Sequence, residues 1–441
     1  VVVVGDCVAV KVAANAPNVA LLIIEKDEYR CGNDDGNDDD SENEYRQEWE
    51  GEIIRFPTTL VGTWEIAIRE NKRFSFTTGL ATQFDPVLAT AYAVGQWIEV
   101  KATRLPDGSF VAQRVRIDDY EVGEIVVRLA TPAISETIAA KYGLVLKSTL
   151  LTDGNIYLYT TTNDNEQLLV TAIAEEEGVI WAEVNYVHSV PEEDGYKTWG
   201  WGGASEPEAY FSQSAYQQIR LGQAARAYQG VGVVVAVLDT GVYTPHEQFN
   251  GKLQLPSLDV IDDDSDPSED GPGLARGHGT HVAGVIAAMA PAATILPVRV
   301  LDENGRGNTF LLAYAIEWAA KQPGVKVINL SLGTEFDSKI LRDVIAKTVA
   351  QGIVVVAAAG NGGTDQVQYP AGYPDVVSVT AVDKSSLKAG FANYGSEWVD
   401  VAAPGVAIMS TMINSEGPGY ATWSGTSMST AFVSGAAALV V

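Results

Sequence analysis

The sequence predicts an α/β fold with a parallel sheet for the C-terminal half of the chain, preceded by a smaller α+β unit and by small all-β barrel modules. Three observations predict it. From Tyr216 on, short β-rich apolar runs alternate with helical patterns. Ahead of them, residues 122–190 follow the order β-α-β-β-α-β. Near the N-terminus two segments repeat each other as paired alternating strands. A chain of 441 residues has room for roughly two to four such units, each with its own core.

The repeat comes first. Val4-Gly-Asp-Cys-Val-Ala-Val-Lys11 matches Val94-Gly-Gln-Trp-Ile-Glu-Val-Lys101, and each is followed by a turn and a second strand, residues 19–24 in one copy and 110–117 in the other. Pro106-Asp-Gly is a hairpin signal. The spacing of Phe110, Ala112 and Val115 predicts a half-buried strand with room for a bulge. Residues 51–121 therefore read as an OB-like β-module, and residues 1–32 as a truncated copy. Residues 33–50, rich in Asn, Asp and Gly, read as an acidic linker.

In the next unit, residues 124–129 alternate as a strand. Residues 134–142 read as a helix closed by Gly143, and two strands at 144–150 and 155–161 flank Asp153-Gly154. A second helix at 165–177 ends in Gly178, and residues 179–190 form the last strand. This order is ferredoxin-like. Residues 191–213 read as an exposed linker open to cleavage. In the final unit, 214–441, strands are expected at 231–238, 294–300, 325–330, 353–358 and 376–381, and helices at 281–290, 309–321 and 339–351. Near-continuous apolar strands separated by helices imply a parallel sheet buried on both faces. Such sheets bind ligands at the carboxyl ends of their strands, where Asp239, Asn329 and Asn361 fall.

A formal net charge of −28 excludes nucleic acid and anionic membrane as partners, and no apolar run is long enough for a membrane span. The two cysteines, Cys7 and Cys31, read either as a bridge in an oxidising compartment or as two thiols. No signal peptide is visible, and both ends read as cut from something longer.

Three Gly-rich segments carry the chemistry, in the order Asp, His, Ser. They are Val235-Ala-Val-Leu-Asp239-Thr-Gly-Val, Gly277-His278-Gly-Thr-His281-Val-Ala-Gly and Ser424-Gly-Thr-Ser427-Met-Ser. Peptide cleavage by serine needs a hydroxyl, an imidazole to take its proton and a carboxylate to orient the imidazole. Ser427 also reads as a helix N-cap, Asp239 as a strand-end cap and Asn361 as a turn residue. His278 and His281 stand one helical turn apart, which suits a metal, but a zinc protease places Glu where Gly279 stands.

All three segments resemble those of the subtilisin-like serine proteases (subtilases), and the resemblance runs from about Tyr216 to the chain end. It implies a serine endopeptidase with Ser427 as nucleophile, His278 as base, Asp239 as its orienting carboxylate, and His281 as a structural residue. Asn361, after Ala358, Ala359 and Gly360, resembles the family's oxyanion-hole residue. Gly305, Gly307, Ser331, Leu332 and Gly333 resemble the two segments that pair with an extended protein or peptide substrate. Ala358 to Gly360 would line the S1 wall, with Gln368 near its floor. The last strand of residues 122–190 resembles the end of a subtilase inhibitory prodomain, which implies a self-inhibited zymogen and a secreted enzyme. The alternative is a non-catalytic scaffold or surface-binding protein of the same fold.

The resemblance also bears on metals. Many subtilases interrupt the helix after the catalytic His with a calcium loop; here residues 282–289 run straight into Ala290-Pro291, and Gln248 replaces an aspartate of the same site. Asp259, Asp262, Asp264 and Asp266 instead resemble a calcium loop of thermitase-like members, and carboxylate oxygens suit Ca²⁺. After Ser427, Ala431 and Phe432 replace the family's Pro-His.

Overall fold

The structure, a computed structural model, describes residues 2–4, 7–9, 46–68, 72–85, 97–117, 120–150, 155–162, 166–192, 207–224, 229–269, 271, 273, 275–414 and 417–441. Most of the first repeat copy, most of the acidic linker and Cys31 lie outside them. The chain divides into two compact units, Val1–Gly123 with Thr161–Val170, and Glu124–Thr160 with Thr171–Val441.

In the first unit, β1 (Val2–Val4) and β2 (Cys7–Ala9) form a short antiparallel pair. The second module is a sheet of β3 (Arg46–Arg55), β4 (Gly62–Ile68), β5 (Lys72–Thr78), β6 (Gln83–Asp85), β7 (Trp97–Arg104) and β8 (Phe110–Ile117). Its order is β5-β4-β3-β7-β8-β6, and a β5–β8 pairing closes it into a barrel. β3 opens at Arg46, so the strand begins inside the stretch read as linker. Alternate residues point inward, as period 2 requires: Trp64 and Ile66, Phe74 and Phe76, Ile98 and Val100 are all buried. Opposite Lys101 and Ala102 the β8 register jumps from Arg114 to Ala112, which is the expected bulge.

Next along the chain come β9 (Tyr120–Leu129), α1 (Ser135–Tyr142), β10 (Val145–Thr149), β11 (Ile156–Thr160), α2 (Glu166–Ala174) and β12 (Val179–Ser189). Gly143 ends α1 at φ +68°, a left-handed cap that favours glycine. The strand order β10-β11-β9-β12 is that of a ferredoxin-like sheet. Three short helices follow, α3 (Pro207–Ser212), α4 (Ser214–Gln218) and α5 (Leu221–Ala224). Tyr210 of α3 is buried and its hydroxyl donates to the Gly284 carbonyl at 2.5 Å, so residues 207–213, the end of the region read as linker, already belong to the α/β body.

That body is built from β13 (Val234–Asp239), β14 (Leu258–Asp259), α6 (His278–Met289), β15 (Thr294–Arg299), β16 (Arg306–Asn308), α7 (Thr309–Ala320) and β17 (Val325–Leu330). It continues through α8 (Lys339–Ala350), β18 (Val354–Ala358), β19 (Val377–Val382), β20 (Val401–Pro404), the hairpin β21 (Ile408–Asn414) and β22 (Gly417–Trp423), and α9 (Thr426–Val440). Seven parallel strands run β14-β15-β13-β17-β18-β19-β20. On β13, Ala236 and Leu238 join the core under α7 and α8, while Val235 and Val237 join the core under α6 and α9. Both faces are covered, which is why the strand is apolar up to Asp239. α6 starts at His278, three residues earlier than the sequence suggested, because Gly277 at φ +91° makes the entry turn.

Candidate active site

Asp239 ends β13, His278 opens α6 and Ser427 is the second residue of α9. All three are fully buried. The Asp239 carboxylate (Oδ1) meets His278 Nδ1 at 2.7 Å and also accepts the Thr240 N–H at 2.7 Å. A Cβ at Gly279 would stand 2.1 Å from the Gly241 carbonyl oxygen, so the position where a zinc protease carries Glu admits no side chain. His281 turns to another task. Its Nε2 lies 3.1 Å from both the Ile408 and Ala421 carbonyls, and its ring stacks on Trp423. Burial pushes it down to about 3, so it stays neutral, as a structural residue should.

The side chain that reaches Ser427 is Glu192. Its Oε2 accepts the Ser427 hydroxyl at 2.9 Å and stands 3.1 Å from His278 Nε2. His278 thus has a carboxylate oxygen at each ring nitrogen. Burial alone would lower this imidazole; the Asp239 and Glu192 carboxylates outweigh burial and push it up to about 10. Behind Asp239 a third carboxylate, Glu269, is buried and accepts the Thr240 hydroxyl at 2.5 Å and the Thr280 hydroxyl at 2.6 Å. Burial pushes Glu269 up to about 7. Thr240 and Thr280 in turn accept the backbone N–H groups of Gly279 and Tyr243. The network ties the turn after Asp239 to the first turn of α6.

Asn361 follows β18. Its Oδ1 accepts the N–H and the hydroxyl of Thr426, both at 2.9 Å, which leaves the buried Nδ2 facing the catalytic centre without a protein partner. A Cβ at Gly425 would stand 3.2 Å from that Nδ2 and 1.9 Å from Glu192 Oε1. The amide and the carboxylate therefore flank one small space that only glycine leaves open.

The cleft segments are filled by the chain itself. β12 pairs antiparallel with β16, His188 opposite Gly307. Ser189 and Gly333 exchange both backbone bonds, at 3.0 and 2.9 Å, and the Val190 N–H reaches the Gly305 carbonyl at 3.0 Å. Gly305, at φ +82°, has no space for a Cβ beside Val190. Pro191 then lines a cavity together with Gly333, Ala358, Gly360, Asn361 and Gln368. Glu335, which the sequence did not single out, also lines it and lies 3.4 Å from the Gln368 amide. Three of the expected cleft residues have side chains or carbonyls engaged within the body. Leu332 is buried in the core under α7 and α8, the Ser331 hydroxyl donates to the Ser427 carbonyl at 3.1 Å, and the Ala359 carbonyl accepts the Asn393 amide at 3.0 Å.

The aspartate loop does not fit a calcium ion. Asp259 and Asp262 both pair with the guanidinium of buried Arg299, Asp259 at 2.8 Å, and the free Oδ1 of Asp259 caps the N–H groups of Ile261 and Asp262. Asp264 and Asp266 cap the backbone of Asp266 and Ser268. Among the described residues no cluster of three or more acidic, His or Cys side chains is placed to hold a metal. The cation of this loop is Arg299. Gln248, at the other lost site, donates to the Tyr420 hydroxyl at 2.7 Å, and α6 runs uninterrupted. Among the described residues no helix is long and apolar enough to cross a membrane.

Known proteins resemble parts of this chain. A sequence profile of the subtilase family matches residues 230–441, and one of a domain of unknown function matches residues 50–116. Thermitase of Thermoactinomyces vulgaris is 42% identical over 53% of this chain and 84% of its own length. A thermophilic serine proteinase of Bacillus sp. (strain AK1) is 38% identical over 63% of this chain, and subtilisin E of Bacillus subtilis (strain 168) is 42% identical over 49%. The chain spans 66% and 57% of those two proteins' lengths. Among solved structures, fervidolysin from Fervidobacterium pennivorans, described as a keratinolytic enzyme related to subtilisin, has a TM-score of 0.61 at 25% identity. That likeness covers 73% of this chain and 55% of fervidolysin, so it reaches beyond the stretch matched by the family profile. The α/β body, its buried Asp, His and Ser, and these relatives together establish that the chain belongs to the subtilase family and is a serine endopeptidase.

Proposed function

We propose that this chain is the self-inhibited precursor of a secreted serine endopeptidase that cuts extended segments of protein substrates. Ser427 attacks the scissile carbonyl and His278 takes its proton. Asp239 holds the ring tautomer and stabilises the imidazolium, and the Asn361 amide with the Ser427 N–H binds the oxyanion. Residues 122–190 act as the inhibitory prodomain, and cleavage falls in the segment that follows. The β-module at 51–121 and the partial copy at 1–32 are separate domains.

One observation carries this reading: the strand ending at Ser189 continues through the cleft as an added strand, with Val190 on Gly305 and Ser189 on Gly333. An extended substrate meets the same backbone groups. The prodomain is held there by its own fold, so little ordering cost remains at binding. Its Glu183 carboxylate, buried, also caps α8 through the N–H groups of Lys339 and Ile340 at 2.8 and 2.9 Å and the Ser338 hydroxyl at 3.0 Å. The test is N-terminal sequencing of the full chain and of Ser427→Ala, expressed in a protease-deficient host. Parent chains should be processed and Ser427→Ala chains intact. Ser427→Ala and His278→Ala should each lower kcat by about 10⁶. Processing of Ser427→Ala, or its turnover at the parent rate, would refute the scheme.

A further inference from the structure

The group seated in the catalytic centre is the wrong one for a substrate. After Val190 the extended pairing stops, because Pro191 has no N–H to donate. A bound substrate would next present a main-chain carbonyl to Ser427. Here Ser427 donates instead to a side-chain carboxylate, Glu192 Oε2, which also meets His278 Nε2. The second oxygen, Oε1, lies against Gly425 beside the Asn361 amide. One carboxylate therefore touches the nucleophile and the base and stands beside the oxyanion donor.

The proton count follows from the partners. An ionised carboxylate only accepts hydrogen bonds. With both carboxylates ionised, Asp239 at Nδ1 and Glu192 at Nε2, both ring nitrogens of His278 donate and the ring is an imidazolium. An imidazolium cannot take the Ser427 proton. The groups that face His278 are Asp239, Glu192, Glu269 and His281, of which the two hydrogen-bonded carboxylates lie nearest. Burial of Glu192, only 1% exposed, is compensated by that ring, since an unpaired buried carboxylate is costly.

We propose that Glu192 is a built-in anionic inhibitor: its side-chain carboxylate occupies the catalytic centre and disarms it by holding His278 charged, so that activation requires withdrawal of Glu192 as well as a cut in the chain. The proposal rests on the prodomain reading above and adds a chemical lock to its steric block. It predicts that the precursor is silent even toward reagents small enough to pass the occupied cleft.

The test uses the full chain, refolded from denaturant to set a zero time, with a small fluorophosphonate as the probe of Ser427. Glu192→Gln and Glu192→Ala should be labelled, and should process themselves, at least ten-fold faster than the parent. Glu183→Ala, which loosens the prodomain far from the triad, serves as the comparison. Faster labelling of Glu183→Ala with parent-like rates in both Glu192 variants would overturn the Glu192 proposal and leave the prodomain reading standing. Parent-like rates in all three would overturn both. A second measurement does not depend on processing: ¹⁵N NMR of the His278 ring in full-length Ser427→Ala. The ring should stay doubly protonated at pH 8, and adding Glu192→Gln should lower its titration by at least one pH unit. A neutral ring at pH 8 with Glu192 intact would overturn the proposal.

Discussion

Replacing Arg299 by Met tests the assignment of the loop cation. Arg299 and Asp259 are 2% and 1% exposed and meet at 2.8 Å, whereas Asp262, the second carboxylate on the guanidinium, is 50% exposed. Arg299→Met keeps most of the side-chain volume but strands Asp259 in the interior. Breaking one side of a buried pair costs about 3–5 kcal/mol. In a body of this size that corresponds to a fall in Tm of roughly 6–20 °C. Asp262→Ala removes a half-solvated partner and should cost less than about 1 kcal/mol. Differential scanning calorimetry in a Ser427→Ala background avoids self-digestion during the scan. The Arg299→Met loss should far exceed that of Asp262→Ala, and added calcium should change neither gap. A loss below about 1 kcal/mol for Arg299→Met would refute the reasoning. So would a calcium-dependent rise in parent Tm that disappears in Asp259→Ala.

Two further outcomes follow from the site. Asn361→Leu should lower kcat by about 10²–10³ with KM nearly unchanged, since the amide acts on charge that develops only in the transition state; steady-state kinetics of the processed enzyme checks this. Glu269 sits at about 7 when folded against an ordinary 4.5. Its contribution to stability is fully present below pH 4.5 and is lost as pH rises through 7, so Glu269→Gln should flatten the stability profile between those values. Denaturant titrations at pH 4.5, 6 and 8 measure the slope, and an unchanged slope would refute the assignment.

The meeting of Asp239 with His278 was legible because each stands beside glycines whose need is local. Gly277 makes a left-handed turn into α6, and Gly279 lets α6 approach the turn after Asp239. The bulge in β8 and the cap at Gly143 were legible for the same reason: period and turn chemistry act over a few residues. What was not legible came from far along the chain. Glu192 lies 86 residues from His278 and 235 from Ser427, and in sequence it is one acid in a linker-like stretch. The four aspartates invited a metal because nothing near them shows Arg299, 40 residues beyond Asp259, arriving on a neighbouring parallel strand. The burial of the Leu332 side chain in the core is likewise set by residues far along the chain.

The strand β16 is three residues long and lies at the edge of its sheet, with β12 as its neighbour. An edge of this kind is a hazard in most proteins, since its bare N–H and C=O groups will zip onto any extended chain. On the function proposed above, the same hazard is the recognition device. The edge reads backbone, not side chains, so what it selects is a conformational state: a segment whose own main-chain groups are free. Strands and helices of a folded protein have already spent theirs on each other. On the proposed function, discrimination between native and denatured protein would lie in the peptide groups of Arg306–Asn308, before any side-chain pocket is consulted.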